Sequence, residues 1–151
     1  MKQLLGEYDV KVDAKGRLRL PSPLIRQLDG QELRFVVNRG FENCLVLYPQ
    51  SVWDKITKEL NGLNMYVKKN RDFVRYFLRG AAPVILDSSD RINLPKRLLE
   101  YAGIEKDAIV FANLNKIEIW NKDQYDGIWS ESPSDDYADL AEDVMGNLDI
   151  D

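Results

Sequence analysis

The sequence predicts an α+β protein, mainly β, that consists of two copies of one ββαββ unit. The first observation is a nine-residue frame that occurs twice: residues 13–21 read DAKGRLRLP, and residues 87–95 read DSSDRINLP. The second is the alternation of apolar and polar residues around each frame, which is typical of half-buried strands. The third is the proline that ends each frame and precedes a short helical pattern. These observations predict tandem repeats within one pseudo-symmetric domain.

The similarity between the two copies extends beyond the frame. An offset of 74 residues aligns Leu18 with Ile92, whereas farther along the chain an offset of 72 aligns Leu45 with Ile117. A two-residue deletion between matching strand segments indicates a shortened turn. The chain therefore contains an internal duplication. Because a unit of about fifty residues buries little surface alone, we expect the copies to interlock.

The first copy is predicted to contain four strands and two helices. Residues 7–13 and 17–20 alternate in polarity, and the intervening glycine favours a hairpin turn between them. Ser22 followed by a proline is typical of a helix N-terminus, and Asp29-Gly30 of its end. The later elements are strands at Leu33–Asn38 and Cys44–Tyr48 and an amphipathic helix at 51–60 that Ser51 can cap.

The second copy repeats this order, with a helix between the copies that Asn70 can cap. The predicted strands are Pro83–Leu86, Arg91–Leu94, Ala108–Ala112 and Lys116–Trp120, and the helices are Lys96–Tyr101 and Asp123–Ser130. The predicted organisation is a first repeat at 5–54, bridging helices at 55–80, a second repeat at 81–128 and an acidic tail at 131–151. The composition of this tail favours disorder. The alternative is a short amphipathic helix that docks on a neighbour, because Leu140, Val144 and Leu148 have helical spacing.

Composition argues against an enzyme, a metal site and a membrane protein. The chain has no histidine, so neither Ser-His nor Cys-His nucleophile pairs nor histidine metal ligands can form. The acidic residues show no metal-ligand spacing, and there is no glycine-rich phosphate loop. Cys44 cannot form an internal disulfide and is interpreted as a small buried apolar residue. No apolar run approaches the ~20 residues of a membrane span, and no signal peptide is evident. We expect no cofactor, no metal and no small-molecule substrate.

The distribution of charge is more informative than the net charge of −4. Residues 131–151 contain eight acidic residues and no basic one, so the rest of the chain is basic overall. A basic body with an acidic appendage is compatible with binding a polyanion. A second basic feature is the stripe of Arg71, Arg75 and Arg79 on the predicted bridging helix, which we interpret as a solvated face.

The clearest candidate for contact with nucleic acid is the predicted hairpin at residues 9–19. Alternation directs Lys11, Arg17 and Arg19 outward, and Lys15 lies on the turn. A two-stranded ribbon of this size can enter the major groove, where arginine pairs with guanine edges. Asp13 is placed to hold the guanidinium group of Arg17 or to cap the turn. A solvated hairpin with incidental charge is the alternative.

The doubled frame, with FLRGAAPVILD before the second copy and CLVLYP and IEIW late in the copies, is similar to the MraZ family. That family belongs to the SpoVT-AbrB group of bacterial DNA-binding proteins. The resemblance covers about residues 5 to 130. It implies a swapped-hairpin (double-ψ-like) β-barrel with peripheral helices. It also implies a cytoplasmic, nucleoid-associated repressor that binds direct repeats in the promoter of the division and cell-wall gene cluster as a ring-shaped homo-oligomer.

The resemblance also assigns two DNA-contacting motifs, one from Asp13 to Arg17 and one from Asp87 to Arg91. The second motif departs from the family pattern because Ser88-Ser89-Asp90 replaces the small or basic residues and the glycine. A carboxylate next to Arg91 would be repelled by phosphates. The working hypothesis is that the first copy reads DNA and the second completes the barrel and the subunit contacts. An antitoxin-like protein-interaction module of the same fold group, favoured by the acidic tail, is the alternative function.

Overall fold

The fold was analysed in a computed structural model, which describes residues 3–28, 33–131 and 134–146. The chain forms mixed α+β structure, mainly β, with the same order of elements in both copies. The first copy and the bridge contain β1 (Leu4–Lys11), β2 (Arg17–Arg19), α1 (Ser22–Gln27), β3 (Arg34–Arg39), β4 (Leu45–Pro49), α2 (Gln50–Asn61) and α3 (Lys68–Leu78). The second copy and the tail contain β5 (Ala82–Ile85), β6 (Arg91–Asn93), α4 (Lys96–Ala102), β7 (Asp107–Leu114), β8 (Lys116–Asn121), α5 (Lys122–Glu131) and α6 (Ser134–Met145).

The two copies interlock through their strands. A six-stranded antiparallel sheet has the order β1-β7-β8-β4-β3-β5, and a two-stranded sheet pairs β2 with β6. The first strand of each copy pairs with the third strand of the other copy, as β1 with β7 and β5 with β3. Exchanging the copies therefore reproduces the strand order, so the domain is pseudo-symmetric.

The prediction that residues 9–19 form a hairpin of two paired strands is wrong. Strand β1 pairs with β7, and only an isolated bridge, Val12 to Leu18, joins the two halves of the predicted hairpin. Beyond this bridge the chain turns to the other copy, where the backbone N–H of Leu20 donates to the carbonyl oxygen of Asp90 at 2.9 Å. Pairing between copies satisfies the same backbone groups and also joins the two units.

The strands that the structure describes do not close into a barrel. The six-stranded sheet ends at β1 on one side and at β5 on the other, and β2 and β6 form a separate sheet. The architecture is thus a large antiparallel sheet with a two-stranded sheet beside it, and α1, α2, α4 and α5 pack against strands of the large sheet.

The main core is shared between the copies, and a second cluster lies beneath α2 and α5. Leu18 and Ile92 are both fully buried and lie directly opposite each other in the two-stranded sheet. The second cluster includes Cys44, which is buried as predicted. Burial also raises the pKa of the Cys44 thiol to about 12, which fits its position as an apolar packing group in this cluster.

Two helices, α1 and α2, begin differently from the prediction, whereas α4 begins at Lys96 as predicted. The N-cap positions of α1, α2 and α4 are Pro21, Pro49 and Pro95, and none of these caps makes a side-chain hydrogen bond. A proline with extended backbone ends the preceding strand and leads directly into each helix, so the predicted N-caps Ser22 and Ser51 are wrong. The predicted end of α1 at residues 29–30 lies outside the described residues.

The bridging helix α3 begins earlier than predicted, and the tail contains a helix. Helix α3 begins two residues before the predicted cap Asn70, whose side-chain amide instead donates to the carbonyl oxygen of Asn64 at 3.0 Å. In the tail, for which disorder or a short amphipathic helix was predicted, residues Ser134–Met145 form α6. Apolar residues at helical spacing and the alanines between them favour this helix. Leu148, part of the predicted pattern, lies outside the described residues. None of the helices in the described ranges is long and apolar enough to cross a bilayer.

Candidate nucleic-acid interface

The two-stranded sheet brings the two repeated motifs side by side. Its register pairs Arg17 with Asn93, Leu18 with Ile92, and Arg19 with Arg91. Residues opposite each other in a sheet share a face, and alternate residues point to opposite faces. Because Leu18 and Ile92 are buried, the other four side chains form the outward face. This face, composed of Arg17, Arg19, Arg91 and Asn93, is called the arginine ribbon below.

The first motif folds into a tight loop that the side chain of Asp13 organises. One carboxylate oxygen of Asp13 accepts hydrogen bonds from the backbone N–H groups of Lys15 and Arg17, each at 2.9 Å. The other oxygen accepts the Nε–H of Arg17 at 2.8 Å. Asp13 therefore both caps the turn and holds the guanidinium group. The spacing between Asp13 and Arg17 follows from this double role, because one carboxylate must reach both the backbone N–H and the side chain of Arg17.

The second motif repeats this geometry despite its different sequence. Asp87 accepts the backbone N–H groups of Ser89 and Arg91 at 2.8 and 2.9 Å, and the Nε–H of Arg91 at 3.0 Å. The side chains of the two aspartates are equally exposed, and so are those of the two arginines. The frame therefore encodes the same loop in both copies.

Hydrogen bonding lowers the pKa of both motif aspartates. In Asp13 the largest cause is the backbone N–H of Arg17, and in Asp87 it is the backbone N–H of Arg91; both carboxyls lie below their ordinary pKa of 3.8. A carboxyl whose pKa is depressed in the folded state stabilises the fold above its unfolded-state pKa. That contribution is lost as pH falls through the folded-state value.

The substitution Asp13→Asn is expected to lower the stability of the protein in a pH-dependent manner. Asparagine keeps one oxygen acceptor but loses the charge that favours the Arg17 contact. The difference in urea midpoint between parent and variant should be largest at neutral pH and should close as pH falls below about 4. A difference that stays constant across this range would contradict the role given to the carboxylate.

The two loops differ at the residue that precedes the arginine. Gly16 and Asp90 occupy the same position, and both have positive φ angles, of 82° and 61°. Aspartate is one of the few residues that tolerate this left-handed conformation. At Gly16 there is a second constraint, because an added Cβ would lie 2.8 Å from the carbonyl oxygen of Leu94.

We therefore expect Gly16→Ala and Asp90→Gly to have unequal effects on stability. Gly16→Ala combines a strained backbone with a contact against a main-chain oxygen, so it should lower the free energy of unfolding by about 1–3 kcal/mol. Asp90→Gly removes the strain at the cost of a more flexible unfolded chain, so it should change that free energy by less than about 1 kcal/mol. Urea unfolding of both variants checks this. Equal destabilisation by the two would be the contrary result.

All three arginines of the ribbon are held through Nε, and these hydrogen bonds do not use their terminal nitrogens. Arg17 and Arg91 bond the motif aspartates, and the Nε–H of Arg19 donates to the carbonyl oxygen of Ser89, in the loop of the other copy, at 3.1 Å. Within residues 3–28, 33–131 and 134–146, no acceptor pairs with the terminal guanidinium nitrogens of these arginines. Such pre-orientation suits bidentate pairing with a base edge or a phosphate.

The structure separates the two predicted lysines from the ribbon. Lys15 lies on the exposed first loop, whereas Lys11 ends β1 and forms a salt bridge with Asp107 at 2.9 Å. Lys11 and Arg19 nevertheless line the same surface groove beside the ribbon. Lys11 is therefore placed for a flanking contact, and its charge is shared with Asp107.

Sequence reasoning missed Asn93 as a candidate. It lies opposite Arg17 on the outward face, where a side-chain amide can pair with adenine. Its position in the duplicated frame, equivalent to Arg19, was the available signal. The structure also places Arg91 opposite Arg19, so the second copy contributes an arginine to the same face as the first. Which of these residues contact DNA stays a prediction.

Comparison with known proteins gives the chain a family context. The sequence model of a family described as "MraZ protein, putative antitoxin-like" matches residues 3–76 and again residues 77–147. The two matches meet near the end of α3, between the two copies.

Curated relatives match the chain over nearly its full length. A transcriptional regulator MraZ from Christiangramia forsetii is 48% identical over all of this chain and 98% of its own length. The transcriptional regulator MraZ of Flavobacterium psychrophilum is 43% identical over all of this chain and 97% of its own. That of Cytophaga hutchinsonii is 43% identical over 91% of each chain.

Proposed function

The chain belongs to the MraZ family, and on this premise we propose that it is a transcriptional regulator that binds specific double-stranded DNA through the arginine ribbon. The observation that carries the proposal is that three arginines on one exposed face are each held through Nε. A two-stranded ribbon fits the major groove, and arginine is the residue that most often reads guanine there. The names of the relatives support the regulatory role.

In the proposed complex, Asp13 and Asp87 orient arginines and do not themselves contact DNA. Their carboxylates are already engaged with loop N–H groups and with Nε, so they repel phosphates less than free carboxylates would. Lys15 and Lys11 would contact the backbone on the first-copy side, where counterion release contributes to affinity. Asp90 replaces a glycine on the second-copy side, so the ribbon is asymmetric in charge and would favour one orientation on a direct repeat.

We further propose that several copies act together as a ring-shaped homo-oligomer. One ribbon offers few base contacts, whereas linked ribbons on repeated sites gain affinity through effective concentration. On this proposal the protein occupies direct repeats in the promoter of the division and cell-wall gene cluster, in the cytoplasm and associated with the nucleoid. Repression would follow from occupation of the promoter, with no catalytic step.

A gel-shift titration at several salt concentrations, on DNA that carries the direct repeats of the promoter, tests the proposal. Arg17→Ala should weaken binding and, if Arg17 meets phosphate, reduce the slope of log affinity against log salt by about one unit. The matched control is Lys58→Ala, which removes one exposed positive charge from α2, away from the ribbon. The proposal fails if Arg17→Ala binds the repeats as tightly as the parent.

One observation favours a second candidate function, a protein-interaction module related to antitoxins. Helix α6 is acidic and exposes apolar side chains, as a segment that binds a partner protein would. The family description includes the same term. The gel shift separates the two functions, because a module of this kind without a DNA role would show no preference for the repeats over unrelated DNA.

A further inference from the structure

We propose that α6 of one subunit docks on the exposed face of α3 of a second copy of this chain. The face consists of Phe73 and Tyr76 with the basic residues around them, Lys68, Lys69 and Arg75, and is called the α3 face below. This docking rests on the self-association proposed above, and it identifies the contact that would join the subunits. Shape, exposure and charge each support it.

Helix α3 is amphipathic, yet it buries none of its side chains fully. Phe73 and Tyr76 are both exposed, with Tyr76 at 66%. A helix of this length gains most of its stability from packing of its apolar side. Two exposed aromatic side chains on one short helix therefore indicate a surface that a partner covers.

The aromatic side chains of the α3 face are already positioned for contact. Phe73 stacks on Phe77 with ring centroids 5.7 Å apart, and Phe77 stacks on Trp53 at 5.8 Å. The guanidinium group of Arg39 lies 4.7 Å from the ring centre of Tyr76 and donates a hydrogen bond to its carbonyl oxygen. Rigid aromatic groups lose little conformational freedom on binding, so they form effective anchors.

A groove beside these rings can accept an apolar side chain. Its walls include Phe41, Phe73 and Tyr76, and Tyr101 closes one side through a hydrogen bond to the carbonyl oxygen of Gly40 at 3.0 Å. Phe41 is 87% exposed at the tip of the turn between β3 and β4. The groove thus joins the α3 face to a second exposed aromatic ring, which enlarges the apolar surface that docking would bury.

Helix α6 has the complementary apolar stripe. Tyr137, Leu140 and Val144 follow the i, i+3, i+7 spacing of one helix face, and all three are exposed, Leu140 at 61%. Among the side chains of α6 that the structure describes, only Ala141 is partly covered. The described part of the chain therefore leaves this stripe without a packing partner.

The charges of the two helices are opposite. Residues 134–145 contain five acidic residues and no basic one, whereas residues 68–78 contain four basic residues and one acidic residue. That acidic residue, Asp72, pairs with Lys68 at 2.6 Å and with Arg75 at 3.5 Å. In the described ranges, no carboxylate forms an ion pair with Lys69. An acidic helix with an apolar stripe is the partner that such a surface selects.

The topology favours a second copy over the same chain as the source of α6. Helix α5, which leads to α6, packs on β7 and β8. Helix α3 is held at β3, where the side-chain amide of Asn38 donates to the carbonyl oxygen of Phe77 at 3.0 Å. Strands β8 and β3 are separated by β4 in the sheet. Each subunit would then donate one helix and accept another, a head-to-tail contact that closes into a ring.

The test uses one variant defective in the donor helix and one defective in the acceptor face. Leu140→Asp and Phe73→Asp change exposed positions, so circular dichroism should show both folded. Light scattering should show each variant alone at the 17.5 kDa mass of one chain. Mixed together they should form a one-to-one pair and nothing larger, because each supplies the half that the other lacks. The proposal is wrong if both variants keep the mass of the parent protein, or if the two variants do not pair when they are mixed.

A charge exchange provides the second readout. Lys69→Glu should weaken assembly, and adding Glu142→Lys in the same chain should restore it, whereas Lys58→Glu on α2 should leave the mass unchanged. Restoration requires that α6 and α3 of different copies meet, so failure to restore counts against the proposal.

The DNA experiment remains separate from this contact. A single-subunit Leu140→Asp protein should still bind one box through its ribbon, with more than about tenfold loss on repeated boxes as effective concentration is lost. Arg17→Ala, by contrast, should lose DNA affinity with its mass unchanged. If the parent protein assembles but shows no preference for the boxes, or if Arg17→Ala binds them as tightly as the parent, the proposed function alone is wrong. If the parent binds the boxes but Leu140→Asp and Phe73→Asp keep the mass of the parent, the docking alone is wrong.

Discussion

Replacing Leu18 with alanine is expected to lower the free energy of unfolding by about 2–5 kcal/mol, the range for a fully buried leucine. Leu18 has no exposed surface and lies directly opposite Ile92 in the two-stranded sheet, at the centre of the pseudo-symmetric domain. Atoms from both copies surround it, so neither copy can relax alone to fill the cavity. Urea unfolding followed by circular dichroism measures the change.

The control for this prediction is Leu5→Ala, which truncates the same side chain at a position that is 62% exposed. Its effect should stay within about 0.5 kcal/mol. Leu18→Ala and Ile92→Ala should both shift one cooperative transition, since β1, β5 and the two-stranded sheet all join the copies. Two separate transitions, or a Leu18→Ala effect no larger than that of Leu5→Ala, would show that the copies fold independently.

The sequence predicted the order of elements well because the duplication supplies each pattern twice. Leu18 and Ile92 both read as inward residues of short strands, and both are buried. What the pattern could not show is the partner of each strand. Alternation specifies which face of a strand is apolar, but it is the same whether β2 pairs with β1 or with β6. The hairpin was therefore predicted where the structure has an exchange between copies.

The candidate site illustrates the same limit. Reading the first motif alone identified Asp13 and Arg17 correctly as a pair, because the spacing is local. The placement of Arg91 and Asn93 on the same face depends on pairing between residues more than seventy positions apart. From Asp90 beside Arg91, the sequence favoured a first copy that reads DNA and a second that is structural, whereas the structure places arginines from both copies on one face.

Reversing the charge of Arg19 is expected to have the largest effect on DNA binding. Arg19 is the residue of the ribbon whose Nε is held by the other copy, at Ser89, and it is more exposed than Arg17 or Arg91. Loss of one bidentate pair to a base costs about 1–3 kcal/mol, or about 5- to 150-fold in affinity, and a glutamate adds repulsion from phosphates. In an assembly the loss recurs at every ribbon, so Arg19→Glu should abolish measurable shifts on repeated boxes.

The pseudo-symmetry provides the control, because Asn93 occupies the position of Arg19 in the second copy. Asn93→Arg should make the two strands alike, raise affinity for unrelated DNA and steepen the salt dependence by about one unit if the new arginine meets phosphate. Gel shifts on matched and unrelated DNA, with Arg19→Glu and Asn93→Arg beside the parent, measure both effects. If Arg19→Glu retains binding while Lys58→Ala loses it, the ribbon is not the DNA-binding face. If both substitutions act as expected, the specificity for DNA depends on the difference between the two copies. The duplicated frame provides two equivalent strands, so only the positions at which the strands differ, Arg19 and Asn93, can orient them on DNA.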